Sequence, residues 1–194
     1  RVYDLRVVPS AVIYGANASG KSNIIMSLDV MKDIVLSGSL ESNIPNLKNL
    51  ELYPFAYQSS ERPMKFEIDF IYGEKRLEFG FEVQVSTFKK ETRSIVSEFL
   101  TYIDKSGQKT NIYTREQNKI KISKDKKALS IIEFDEKLLK QFEKKINENI
   151  DETELFLSRA FKSTISNELA DMVLDFFKEE LVVVSDFTLK KTNL

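Results

Sequence analysis

Lys21 and Ser22, set behind Gly15 and Gly20 in the stretch Gly15-Ala16-Asn17-Ala18-Ser19-Gly20-Lys21-Ser22-Asn23, are the residues whose types and spacing ask for a particular chemistry. The run fits G-x-x-x-x-G-K-[ST], the phosphate-binding P-loop. Its two glycines permit backbone angles and close approaches that a side chain would block, so the N–H groups between them can turn inward at phosphate oxygens. The Lys21 ammonium would reach the β- and γ-phosphates, and the Ser22 hydroxyl would ligate Mg²⁺. The expected phosphate-binding set is therefore Gly15, Asn17, Ala18, Ser19, Gly20, Lys21, Ser22 and Asn23, with Lys21 also the catalytic residue and Ser22 the metal ligand.

Such a loop must sit where a strand turns into a helix. Val12, Ile13 and Tyr14 form a short apolar run suited to a buried strand, and Ile24, Leu28, Met31 and Val35 recur at helical spacing behind Ser22. The start of that helix adds unpaired N–H groups and the positive end of a dipole, both of which favour a polyphosphate. Gly38 is positioned as its left-handed C-cap. Ahead of the loop, residues 1–10 read as an extended approach stopped by Pro9, and Ser39 to Pro54 read as a loop.

Phe66, Ile68, Phe70 and Tyr72 alternate with mostly polar neighbours, the chain turns at Gly73-Glu74-Lys75, and Leu77, Phe79, Phe81, Val83 and Val85 alternate again. This predicts a hairpin with one covered face. Further strands follow at Ile95 to Ile103, Asn111 to Arg115 and around Ile120 and Ile122. The phenylalanines have the chemistry of a stacking platform for single-stranded nucleic acid, but strict period two assigns them to a buried sheet face. Helices are expected at Glu136 to Asn147, with Leu138, Leu139, Phe142 and Ile146 inward; from Asp151, with Glu154 in capping-box relation; and at Thr164 to Lys178. Leu181 to Ser185 reads as a closing strand. Lys137, Lys140, Lys144 and Lys145 share their surface with Glu136, Glu143 and Glu148, the pattern of a solvated face.

Composition narrows the chemistry further. The chain has 29 basic and 30 acidic residues, so it carries no global basic field of the kind nucleic-acid binders use. With no cysteine and no histidine, thiolate and imidazole chemistry are excluded. No apolar run approaches a membrane span and no signal peptide opens the chain, which makes a cytoplasmic protein without a membrane partner the expectation. The chain starts at Arg1 rather than methionine, as a fragment would.

Hydrolysis needs an acidic strand end to hold Mg²⁺ and a carboxylate to position water. Ile131-Ile132-Glu133-Phe134-Asp135-Glu136 is interrupted by Glu133, and Leu181-Val182-Val183-Val184-Ser185-Asp186 lacks a following Glu, so both read as decoys. A guanine reader would need Asn-Lys-x-Asp, but Asn118-Lys119-Ile120-Lys121 has no Asp. A small-molecule kinase would need an arginine-bearing lid, and the arginines are scattered.

The loop Gly15 to Asn23, with Asn17 at the third motif position and Asn23 after the serine, resembles that of RecF/SMC-like (ABC-type) ATPases. It is most similar to bacterial AAA-family ATPases of abortive-infection and other anti-phage systems, relatives of the OLD proteins. Ala18 departs from the SMC heads, which usually carry Gly there. Pro54-Phe55, the hairpin Phe66 to Val85, Glu98-Phe99-Leu100, Leu155-Phe156-Leu157-Ser158 and Phe176-Phe177 to Val184 look like the same family's N-terminal lobe. Gln58 is the candidate for the family's Q-loop glutamine, but it follows no defined strand. Leu36-Ser37-Gly38-Ser39 looks like the start of an ABC signature, yet it ends the P-loop helix and reads as its cap.

The resemblance implies an α/β fold: a P-loop NTPase N-terminal lobe with a mixed sheet, an antiparallel β-meander and flanking helices. It implies 1–50 as strand, P-loop and helix, 51–123 as meander, and 124–194 as a helical segment ending in a strand, with the C-terminal lobe that carries Walker B, signature and switch residue absent. ATP and Mg²⁺ would be the cofactors. Partners would be a second copy through paired ATPase heads and an effector protein, a nuclease or toxin; nucleic acid stays open without support. The implied function is a defence ATPase that couples nucleotide state to assembly or effector release. The alternatives are a DNA-repair or SMC-type head and an assembly scaffold that binds ATP without hydrolysing it.

Overall fold

Alternation at period two builds the sheet, and the computed structural model, which describes residues 13–16, 19–41, 62–86 and 92–181, gives it five strands. These are β1, Met64–Tyr72, β2, Lys75–Ser86, β3, Thr92–Ile103, β4, Lys109–Glu116, and β5, Lys119–Ile122. Each is antiparallel to the one before, in the order β1-β2-β3-β4-β5. Short connections suffice for such a meander.

Register lines the core face in rows. Ile68, Phe79, Leu100, Tyr113 and Ile122 occupy successive paired positions across all five strands. The next row runs Phe66, Phe81, Glu98, Arg115 and Ile120, so a carboxylate and a guanidinium stand opposite each other among apolar neighbours.

Helices cover this face. α1, Lys21–Ser37, precedes the sheet; α2, Lys126–Ile132, and α3, Glu136–Asn147, follow it. A π-helical turn, Leu157–Phe161, runs into α4, Lys162–Thr164, and α5, Asn167–Asp175, runs into a second π-helical turn, Phe176–Glu180. One buried cluster joins Met31, Ile34 and Val35 of α1 to Phe79, Phe81 and Leu100 of the sheet and to Phe156, Phe161, Leu169, Val173 and Phe177. The chain is thus an α/β fold with its antiparallel meander flanked by helices.

The phenylalanines belong to that core. Phe70, Phe79 and Phe81 are buried; half-buried Phe66 stacks on Phe81 at 5.1 Å, and Phe70 on Phe176 at 4.1 Å. The buried rings of Phe70, Phe79 and Phe81 offer no face to a base. Phe79→Ala should accordingly lower stability by about 3–5 kcal/mol, read as a shifted urea midpoint.

Three sequence expectations change, and one helix is added. α2 was hidden because only seven residues separate its caps, Asp125 and Glu133. Leu138 is 56% exposed, turned out on α3 while Leu139 packs inward. No helix starts at Asp151: its carboxylate instead accepts from the Thr153 amide at 2.7 Å and the Thr153 hydroxyl at 2.8 Å, closing a turn. The helix expected at Thr164 to Lys178 is interrupted at Ser166, whose hydroxyl caps α5 by accepting from the Leu169 amide at 3.3 Å. Short polar side chains that bond their own backbone compete with helix at such places.

Candidate functional site

The loop ahead of α1 is shaped by two glycines. Gly20 takes φ 86°, a left-handed conformation costly for any residue with a Cβ, and swings the chain into the helix at Lys21. At Gly15 a Cβ would lie 2.7 Å from the Ser19 hydroxyl oxygen, so a side chain there would require Ser19 to turn aside. The Ser19 amide donates to the Ala16 carbonyl at 3.2 Å within the turn.

Lys21 folds back over this turn. Its Nζ donates to the Gly15 carbonyl at 2.7 Å, the Ala16 carbonyl at 2.6 Å and the Ser19 hydroxyl at 3.4 Å. Ser22 and Asn23 are exposed beside it, and the first turn of α1 contains no acidic residue. A helix start with a cation at its first position and no carboxylate to compete suits an anion. Asn17 and Ala18 lie outside the described residues. Gly15, Ser19, Gly20, Lys21, Ser22 and Asn23 are brought together.

Of the strand expected at Val12 to Tyr14, Val12 lies outside the described residues, and Ile13 and Tyr14 pair with no strand among the described residues. Ile13 is 43% and Tyr14 87% exposed, in no ladder, and Ile24 on α1 is 50% exposed. Apolar side chains chosen for burial find no cover here among the described residues. Of the expected stripe of α1, Met31 and Val35 are buried, and Ile34 joins them.

The far end of α1 is fixed tightly. Gly38 takes φ 72° and donates to the Ile34 carbonyl at 2.9 Å, the cap expected of Leu36-Ser37-Gly38-Ser39, and a Cβ on it would come 2.7 Å from that of Ser158. The next residues pair with residues 153–155: the Leu155 amide donates to the Gly38 carbonyl at 2.9 Å, the Leu40 amide to the Thr153 carbonyl at 2.8 Å, and Ser39 bridges Glu154.

That strap is held from the sheet by the buried pair. Arg115 donates from Nη1 to the Glu154 carbonyl at 2.5 Å, from Nη2 to the Asp151 carbonyl at 3.0 Å and from Nε to the Gln117 carbonyl at 2.7 Å. The Glu98 carboxylate accepts from the Phe156 amide at 2.7 Å, the Leu157 amide at 2.9 Å and the Tyr113 hydroxyl at 2.8 Å, with Arg115 Nη1 3.9 Å away. It therefore caps the first turn of the helix beyond the strap from across the fold. Burial pushes the Glu98 carboxyl up, against the pull of those hydrogen bonds and of Arg115; it pushes the Tyr113 hydroxyl well up and the Arg115 guanidinium down.

Glu98 was present in the sequence only as part of Glu98-Phe99-Leu100, and its partners only as Leu155-Phe156-Leu157-Ser158. The structure makes the two one contact. The available signal was parity: Glu98 and Arg115 occupy inward positions of alternating strands, where charge has to be paired.

The one acidic decoy that lies among the described residues, Ile131 to Glu136, does not serve as a metal-holding strand end. Ile131 and Ile132 are helical, Glu133 ends α2 at φ 53°, and Asp135 caps α3 by accepting from the Lys137 amide at 2.8 Å. Asn118 lies in the turn before β5. Asp186, Gln58 and Pro54-Phe55 lie outside the described residues. Among the described residues no group of three or more acidic side chains is placed to hold a metal, and no helix is long and apolar enough to cross a membrane.

The family model described as "AAA domain, putative AbiEii toxin, Type IV TA system" matches residues 10–182. The chain belongs to this family. The match takes in the glycine loop, the whole meander and the helices on either side of it. Domains of this family are generally nucleotide-binding ATPases. No curated protein and no solved structure matches the chain.

Proposed function

We propose that this AAA domain binds Mg²⁺-ATP at the Gly15 to Asn23 loop and supplies the phosphate-binding half of an ATPase site. The observation that carries the reading is Lys21 at the first position of α1, its ammonium resting on the Gly15 and Ala16 carbonyls with no acid in the helix's first turn. Those carbonyls are weak, exposed partners that an incoming β,γ-phosphate would replace with a charge-assisted bond. Gly15, Asn17, Ala18, Ser19 and Gly20 would present backbone N–H groups to the phosphates, Asn23 would extend the set, and Ser22 would ligate Mg²⁺. Bound Mg²⁺ would neutralise charge on the β- and γ-phosphates; Lys21 would hold the γ-phosphate in line for attack by water.

In the finer reading the chain is the N-terminal lobe of a RecF/SMC-like ATPase of the OLD-like, abortive-infection group. Exposed Ile13, Tyr14 and Ile24 around the loop support a further lobe or second head closing over the nucleotide. Heads would pair as a homo-oligomer, and nucleotide state would govern assembly or release of an effector.

Calorimetric titration with Mg²⁺-ATP and Mg²⁺-GTP tests the binding step. Saturable ATP binding, with GTP no tighter, is expected; heat from neither nucleotide would remove the reading. Phosphate release by residues 1–194 alone should be near background at every concentration, since positioning supplies most phosphoryl-transfer catalysis. Concentration-independent turnover by that segment would show a catalytic carboxylate within it and return Asp186 to consideration.

A further inference from the structure

Between the end of α3 and the π-helical turn Leu157–Phe161 the surface opens into a cavity of about 510 Å³. Its walls are apolar: Phe142 and Ile146 on α3, Ile150 just beyond it, Leu155 and Phe156 at the end of the strap, and Ala160 on the π-helical turn. Protein interiors leave few voids larger than a water molecule, so a hollow of this size forfeits contacts that a filling body would supply. The volume is that of a small-molecule site. One wall is also a π-helical turn, a rare conformation that concentrates at functional sites.

The walls are fixed before anything enters. Arg115 holds the Asp151 and Glu154 carbonyls, and Glu98 holds the Phe156 and Leu157 amides, so the strap side is pinned to the sheet. A preformed site has little order left to lose on binding. Charges at the mouth balance: Lys145 and Arg159 stand with Asp151 and Glu154. Arg159 Nε lies 3.1 Å from the Glu154 carboxylate, and the Asp151 carboxylate is taken up by the Thr153 amide and hydroxyl. Neither sign is left in excess to draw in an ion.

We propose that this cavity binds an uncharged, mainly apolar small molecule with an aromatic ring, and that its occupancy steadies the end of α1. Phe142 and Phe156 suit an aromatic body, and a charge set against such walls would lose its hydration for no partner. The link to α1 is the strap. The Leu155 amide and Thr153 carbonyl bond Gly38 and Leu40, and the Ser158 hydroxyl donates to the Val35 carbonyl at 3.2 Å. A body packed against Leu155 and Phe156 therefore restrains the residues that end α1. The inference does not depend on nucleotide binding.

Fluorescence titration of the full-length protein with N-phenylnaphthylamine, beside anilinonaphthalene sulfonate, provides the test, because the two probes share their rings and only the second is charged. The uncharged probe should bind at one saturable site at least about tenfold more tightly than the sulfonate, and the Leu40 and Leu155 amides should exchange more slowly when it is bound. Ala160→Trp fills the cavity and should weaken that binding at least about tenfold. Ile150→Asp sets a carboxylate on a half-buried wall position and should do the same, which keeps the test decisive if the tryptophan variant does not fold. Glu154→Gln leaves the mouth with one cation in excess and should narrow the gap between the probes. Equal binding of the two probes, no saturable binding of the uncharged one, or binding untouched by a folded cavity variant overturns the proposal. Unchanged exchange at Leu40 and Leu155 with the site filled overturns the link to α1.

Discussion

Replacing Lys21 with alanine is expected to cut ATP turnover by at least about a hundredfold and to leave stability within about 1 kcal/mol. The two halves of that expectation rest on different observations. Lys21 makes its contacts through Nζ alone, to two loop carbonyls and one hydroxyl, in exposed bonds that water can replace. Little folding energy resides there. In the nucleotide complex the same ammonium would face charge that grows on the γ-phosphate during transfer, and neutralising developing charge is the largest single contribution an enzyme group makes. Phosphate release by the full-length variant, with a thermal melt on the same sample, checks both. Unchanged turnover would remove Lys21 from the chemistry, and a collapsed melt would make it a structural residue instead.

The loop chemistry was legible because its spacing is rigid: two glycines and a Lys-Ser pair admit few backbone paths, and Gly20 indeed adopts the left-handed turn that only glycine takes cheaply. The meander was legible for a similar reason. A one-residue slip would turn Phe79 and Phe81 to water, so pattern fixes register. Gly38 announced the end of α1, and α3 was legible from the spacing of Leu139, Phe142 and Ile146, although Leu138 turns outward. What escaped depended on contacts between distant residues. The turn at Asp151 outcompetes a helix because Arg115 takes the Asp151 and Glu154 carbonyls, and the first turn of the next helix is capped by Glu98, 58 residues earlier. No local window contains that information. The exposure of Ile13 and Tyr14 is the same lesson reversed: an apolar run predicts burial but does not say against what.

Glu98→Ala should lower stability by about 3–5 kcal/mol, a large share of the roughly 5–15 kcal/mol that holds a domain folded. The substitution deprives four groups of one acceptor. The Phe156 and Leu157 amides lose their cap, the Tyr113 hydroxyl its partner, and the fully buried Arg115 its nearby countercharge. Arg115 cannot relieve this by losing its proton within any working pH range. Because the strap held by Arg115 also pairs with residues 38–40, loosening should spread to the end of α1 and appear as faster amide exchange at Leu40 and Leu155. Glu98→Gln keeps the volume and one acceptor oxygen but turns an NH₂ toward a donor, so its loss should fall between those of wild type and alanine. The glutamine variant also separates burial from pairing. Burial holds the folded Glu98 carboxyl above its ordinary value, so between the ordinary and raised values the folded chain keeps a proton that the unfolded chain has released. Over that window Glu98 contributes stability at the acid end that is lost as pH rises. The glutamine variant has no such group, and the stability gap between wild type and Glu98→Gln should narrow as pH rises through the window, measured by urea unfolding at a series of pH values. A gap that widens instead would mean that the three hydrogen bonds and Arg115 outweigh burial and hold the folded carboxyl below its ordinary range.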